Sequence, residues 1–189
     1  MASAEAPDEV IRQVVAALDV AGVPYMLTGS FASSLHGAPR STQDLDLVIA
    51  PDEQSLERLV NQFPPDRYYL SRVAAFDALH RRSLFNVIAL ETGWKVDFII
   101  RKSREFSTVE FDRRVKIDLL GAPMFVATPE DVVISKLEWA KRSGSDRQIE
   151  DVVGIVKSQG VRLDAAYVER WIGDLELRPQ WAEALARAR

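Results

Sequence analysis

Two aspartates one residue apart, Asp44 and Asp46, stand in the run DLDLVI, which otherwise reads as a buried strand. Side chains alternate across a strand, so both carboxylates point to one face while Leu45, Leu47 and Ile49 point to the other. Neighbouring carboxylates resist joint ionisation unless a cation or donors compensate them, and a divalent metal ion is the natural compensation. An acidic strand edge facing solvent is the plain alternative. The run WKVDFII repeats the alternation, with Trp94, Val96, Phe98 and Ile100 on one face and Lys95, Asp97, Ile99 and Arg101 on the other. Asp97 is thereby a candidate third carboxylate. Upstream, Gly29 and Ser30 end a strand and begin a helix, where free backbone N–H groups and the helix dipole favour a phosphate. As an ordinary helix start the pair needs no ligand.

Composition narrows what such a site can hold. The 189-residue chain has no cysteine and two histidines, His36 and His80, which removes disulfides, thiolate zinc sites and cysteine nucleophiles. A metal must be held mainly by oxygen, and a site with few ligands and open positions suits Mg²⁺. With 47% hydrophobic and 28% charged residues, the length fits one globular domain or one with a small appendage. No apolar run is long enough to span a bilayer, and MASAEAPDEV has neither a basic nor an apolar leader region, so a soluble cytoplasmic protein without membrane contact is expected. The net charge of −4 advertises no nucleic-acid binding. Local basic groups exist at Arg101, Lys102, Arg104, Arg113, Arg114 and Lys116, and at Lys141, Arg142 and Arg147, each readable as solvated surface.

The elements that must position these residues follow from periodicity. Val10, Ile11, Val14, Val15 and Leu18 recur at helical spacing over 8–20, with Gly22 and Pro24 stopping them before a strand PYMLT. DLDLVIA reads as a strand, PDEQSLERLVNQF as a helix opened by Pro51 and acidic residues, and SLFNVIAL with WKVDFII as a hairpin through Thr92-Gly93. KIDLLG and MFVAT form a second hairpin around Gly121-Ala122-Pro123. At Thr128 the pattern turns helical, with Thr128 as N-cap, Pro129 at the first position and Asp131 three residues on. Helices are expected at about 147–158, at 164–173 with Asp164 as N-cap, and at 178–188. An α/β or α+β half to residue 127 and a helical half at 128–189 result. At about 100° per residue, Val132, Val133, Leu137, Trp139 and Ala140 share one arc of the helix after Thr128, and Lys136 falls inside it. Lys136 either snorkels or pairs with a carboxylate; Asp151, at the border of the stripe Ile149, Val152, Val156, is placed to orient it or is an ordinary exposed residue.

MLTGS, DLDLVI and KVDFI together resemble the nucleotidyltransferase superfamily with the DNA polymerase beta-like fold: a strand, Gly-Ser, a helix, Asp-x-Asp in a second strand and a third acidic residue later. GAPRSTQDLDL resembles the subgroup containing AbiEii-like and MenT-like toxin nucleotidyltransferases. PEDVVISKLEWAKRSGSDRQIEDVVGIVKSQG followed by LDAAYVERW is similar to a related, mostly uncharacterised bacterial branch, so the resemblance covers most of the chain. It implies an α+β nucleotidyltransferase fold, a mixed sheet with flanking helices, as the catalytic domain at 1–127, followed by a helical C-terminal region at 128–189. It implies transfer of NMP from an NTP to an acceptor hydroxyl with release of pyrophosphate. Asp44, Asp46 and Asp97 would hold two Mg²⁺ (or Mn²⁺), with Asp97 also taking the acceptor's proton. Gly29 and Ser30 would cradle phosphates, Lys136 would reach the triphosphate, and Asp151 would accompany it. Arg40 and Thr42 match the subgroup's Arg-x-Thr; Arg40 would reach a phosphate, while loop capping explains Thr42 nearly as well. His36 is expected to close the short helix before Gly37. The toxin subgroup points to RNA, particularly a tRNA 3′ end held by the 101–116 patch, and to a cognate antitoxin; a small molecule such as an antibiotic, or a protein hydroxyl, is the other acceptor class. A regulator or antitoxin-type partner that binds nucleotide and transfers nothing is the reading outside the enzymes.

Overall fold

The computed structural model describes residues 7–39, 41–119 and 121–188. In chain order the elements are α1 (Pro7–Ala21), β1 (Tyr25–Thr28), α2 (Gly29–His36), β2 (Asp44–Ile49), α3 (Glu53–Val60), β3 (Tyr68–Leu70), α4 (Arg72–Arg81) and β4 (Leu84–Ala89). They continue with β5 (Lys95–Ile100), α5 (Glu105–Asp112), β6 (Val115–Leu119), β7 (Ala122–Val126), α6 (Pro129–Ser143), α7 (Asp146–Gln159), a 3-10 turn, α8 (Ala165–Asp174) and α9 (Arg178–Ala188). This is a mixed α+β fold with a central sheet, flanking helices and a helical C-terminal region. The described chain forms two compact units, one from Met1–Leu27 and Thr42–Val126, the other from Thr28–Ser41 and Ala127–Arg189.

The first unit is organised by a seven-stranded sheet in the order β3-β4-β5-β2-β1-β7-β6. β2 pairs with β5 and β1 with β7 in parallel, while β3–β4, β4–β5 and β6–β7 are antiparallel, the last two being the expected hairpins. Leu45, Leu47, Ile49, Val96, Phe98 and Ile100 are all buried, and Phe98 meets Phe63 and Phe85 at ring-centroid distances of 6.0 and 5.2 Å. Burying these side chains on one face is the main favourable term holding the sheet together. α1 buries the predicted stripe Val10, Ile11, Val14, Val15 and Leu18 and packs on α3, whose Arg58 Nε donates to Ala21 O at the helix end, 3.0 Å away. α3 begins at Glu53, behind the N-cap Asp52 in a capping box with Ser55; Pro51 lies outside it, because a box between Asp52 and Ser55 satisfies the first amides two residues further on.

Three elements go beyond the sequence reading. β3 is three residues long, α4 buries only the small side chains Ala75 and Ala78, and α5 buries Phe106, Ser107, Glu110 and Phe111 between charged flanks. Alanines and a buried glutamate give no strong apolar periodicity, so these segments lack the signal that marks α1.

The second unit is helical. α6 starts at the predicted cap, where Thr128 Oγ1 accepts from the Asp131 amide and donates to Asp131 Oδ2 at 2.6 Å, and α8 starts at Asp164. α2 packs against α6 and α7. Its C-terminal end approaches α7 so closely that a Cβ on Gly154 would lie 2.9 Å from Ala38 Cβ, and one on Gly37 would lie 2.1 Å from Ser158 Cβ. Gly37, at φ 129°, is therefore required twice, for its backbone and for space. Trp139 is exposed rather than inward: the buried arc of α6 runs from Val132 through Val133 and Leu137 to Ile134, and Trp139 falls just past its edge.

Candidate active site

The parallel register of β2 and β5 sets Asp44 opposite Lys95 and Asp46 opposite Asp97. Paired residues of adjacent strands project to the same face, so the three carboxylates and one ammonium share a single patch on the polar side of the sheet. Exposure falls along it: the Asp44 side chain is 55% exposed and that of Asp97 16%. Lys95 Nζ donates to Asp97 Oδ2 at 2.9 Å and lies 3.6 Å from Asp44 Oδ1. The Asp97 hydrogen bond, with the charges of Asp97 and Asp44, raises the Lys95 pKa above its usual value against a smaller opposing effect of burial. Asp97 Oδ1 is buried and has no hydrogen-bond partner. Asn86 on β4 stands in register with Asp97 from the other side, with its side chain exposed.

An all-oxygen donor set on one face, with one buried carboxylate oxygen left unsatisfied, fits a hard divalent cation. Among the described residues, however, no group of three or more His, Cys, Asp or Glu side chains stands together as a metal cluster. Lys95 places a positive charge between Asp44 and Asp97.

The other predicted residues are placed as follows. Thr42 Oγ1 donates to Asp44 O at 3.3 Å and accepts from the Asp44 amide at 3.2 Å, the loop-capping arrangement. Arg40 lies outside the described residues. Gly29, at φ 65°, and Ser30 open α2 in the second unit; the N-cap Thr28 makes no side-chain cap hydrogen bond there, while Ser34 Oγ donates to Ser30 O at 3.0 Å. Lys136 is buried and its Nζ donates to Asp151 Oδ2 at 2.7 Å; Asp151 is equally buried. The inward lysine and its orienting carboxylate thus form a buried ion pair. His36 ends α2, and its Nε2–H donates to Ala127 O at 2.8 Å, while Gln159 Nε2 donates to His36 O at 2.8 Å. Burial lowers the His36 pKa, opposed by the Ala127 hydrogen bond and the Glu130 charge. The imidazole is a structural tie within the second unit.

Sequence reasoning missed Lys95 as a partner of the carboxylates and Asn86 as their neighbour. Lys95 was legible, since it lies two residues before Asp97 on the same face; Asn86 required the hairpin register.

No protein-family model and no curated protein sequence matches the chain. Solved structures do match. The antibiotic-resistance factor ANT(2'')-Ia is similar at a TM-score of 0.60 and 15% identity, covering 96% of this chain and 97% of its own. An antigenic nucleotidyltransferase-like protein from Paracoccidioides brasiliensis has a TM-score of 0.56 at 19% identity, with 95% and 91% covered. The chain has a nucleotidyltransferase fold. The lincosamide antibiotic adenylyltransferase LnuA, in a lincomycin-bound structure, shares this nucleotidyltransferase fold at a TM-score of 0.52 and 12% identity, over 81% of this chain and 98% of its own. At such identities the likeness is one of fold, and the chemistry has to be argued from the residues the nucleotidyltransferase fold carries here.

Proposed function

We propose that this protein is a metal-dependent nucleotidyltransferase that moves a nucleoside monophosphate from an NTP to a hydroxyl of a small acceptor molecule. The observation that carries the reading is the β2–β5 register, which puts Asp46 beside Asp97 and keeps Asp44 on the same face. Asp44 and Asp46 would hold the metal, with Asp97 completing the set. A divalent ion bound there would supply charge neutralisation for an in-line displacement. Asp97 accepts the proton of the acceptor hydroxyl as the new O–P bond forms and the bond to pyrophosphate breaks. Gly29 and Ser30, with Arg40 and Thr42, are assigned to the phosphates, and Lys136, oriented by Asp151, to neutralising triphosphate charge. The small acceptor is favoured by the company of the fold: ANT(2'')-Ia is an antibiotic-resistance factor and LnuA adenylylates lincosamide antibiotics.

A second reading keeps the reaction and changes the acceptor to RNA, such as a tRNA 3′ end, in a toxin with a cognate antitoxin. It draws on a ladder in the first unit, where Arg101 and Arg114 lie 5.4 and 4.2 Å from the Phe111 ring, and Arg114 and Lys116 lie 5.1 and 5.7 Å from that of Phe125. Cations clustered in this way suit the phosphates of a polyanionic strand.

The test is incubation with each labelled NTP and Mg²⁺, in parallel with hydroxylated antibiotics, total RNA and a protein lysate. Label on a small molecule is expected. Label on RNA alone would move the assignment to the second reading, and an active Asp44→Asn/Asp46→Asn variant would sink the metal assignment. A thermal shift with NTP and Mg²⁺ but no labelled acceptor would identify a regulator.

A further inference from the structure

We propose that Lys95 is a positioning residue that occupies the cation place between Asp44 and Asp97 and yields it to the metal, so that divalent binding is an exchange against the chain's own ammonium. The inference rests on the metal reading above. Three observations in the first unit carry it. Lys95 precedes Asp97 by one strand period and stands opposite Asp44 in the parallel register, so its ammonium reaches both carboxylates, at 2.9 and 3.6 Å. Asp97 is half satisfied: Oδ2 is held by Lys95, while Oδ1 is buried without a partner, leaving that oxygen available to a ligand that Lys95 does not replace. The Lys95 side chain is 37% exposed on a flexible four-carbon stem, so its head can leave for solvent without unfolding the strand.

Without a cation, carboxylates this close would repel one another. Lys95 holds them until a divalent ion, with twice the charge and a preference for oxygen, displaces it. A lysine that merely decorated the strand would add to stability and leave cation affinity alone.

Mn²⁺ binding to the full chain without nucleotide, followed by calorimetry or by paramagnetic resonance, distinguishes the two roles. Lys95→Met is expected to bind Mn²⁺ about tenfold more tightly than wild type, as loss of a like charge a few ångström from the ion implies. Lys95→Arg, which keeps the charge, should bind like wild type, and Asp97→Asn should bind more weakly than either. Equal or weaker binding by Lys95→Met would overturn the exchange while leaving the metal site standing. No Mn²⁺ binding by any of the four proteins would overturn both. Tighter binding by Lys95→Met in a protein that transfers no nucleotide would uphold the exchange and remove only the enzymatic reading.

Discussion

Asp97 concentrates what is chemically distinctive at the scale of single residues. One of its oxygens is bonded to Lys95 and the other is buried and unbonded, an arrangement that a structural aspartate seldom keeps. If it takes the acceptor proton, Asp97→Asn should lower kcat by about 10²–10⁴-fold with the melting temperature close to wild type. Lys136 invites the opposite expectation about stability. Lys136→Met removes the ammonium that sits 2.7 Å from the buried Asp151 carboxylate, which should cost about 3–5 kcal/mol in chemical denaturation, and a Lys136→Met/Asp151→Leu double variant should recover most of it. If the double variant is stable yet its KM for NTP rises, the pair also serves the nucleotide; an unchanged KM would return it to a purely structural role. His36 sets a pH dependence with a definite sign. Its folded pKa lies below the ordinary 6.5, so the unfolded chain takes up the proton first and stability falls as pH drops below about 6.5. His36→Gln should flatten that slope in denaturation measured from pH 7.5 to 5; an unchanged slope would assign it to other groups.

At the scale of elements, alternation made β2, β4 and β5 legible, because each buries one face and leaves the other wholly or partly exposed, β2 doing so at Asp44 and Asp46 before the buried Val48. What alternation cannot state is which strand lies beside which. The pairing of Asp46 with Asp97 joins residues far apart in the chain through a parallel contact that no turn dictates. Caps were legible for a different reason: Thr128 and Asp164 each act on an amide three residues away, so sequence neighbours are space neighbours. α4 and α5 were illegible because α4 buries only two alanines, while in α5 the buried Phe106 and Phe111 stand five residues apart with Ser107 and Glu110 between them, which makes no helical stripe. Lys136 was legible as inward from its angle on α6, whereas Trp139, one step past the buried arc, was misplaced by the same rule. The close approach of α2 and α7 yields a prediction at this scale. Gly154→Ala forces a methyl against the backbone of Gly37 and Ala38, and it should destabilise the protein by about 1–3 kcal/mol, read as a lowered denaturation midpoint.

Over the whole molecule, charge separates the acceptor readings. With a net charge of −4 and a sequence pI of about 5.3, the protein offers no general attraction to polyanions, and any RNA affinity must come from local basic groups such as the Arg101–Lys116 ladder. Transfer to a small acceptor should change by no more than about twofold between 50 and 200 mM salt, whereas about three phosphate contacts would weaken RNA binding some tens of fold over that range. No helix among the described residues is long and apolar enough to cross a membrane. The chain enters the second unit after Leu27, leaves it after Ser41 and re-enters after Val126. The polypeptide is thus laced rather than strung. A cut at residue 127, where composition changes, would not release two self-sufficient parts: the N-terminal fragment would carry α2 with its packing partners removed, and the C-terminal one would lack the helix that α6 and α7 pack against. Fragments 1–127 and 128–189 made separately should therefore be poorly soluble, and made together they should reassemble. Any exchange of the helical C-terminal region among proteins of this fold has to carry residues 28–41 along with the tail.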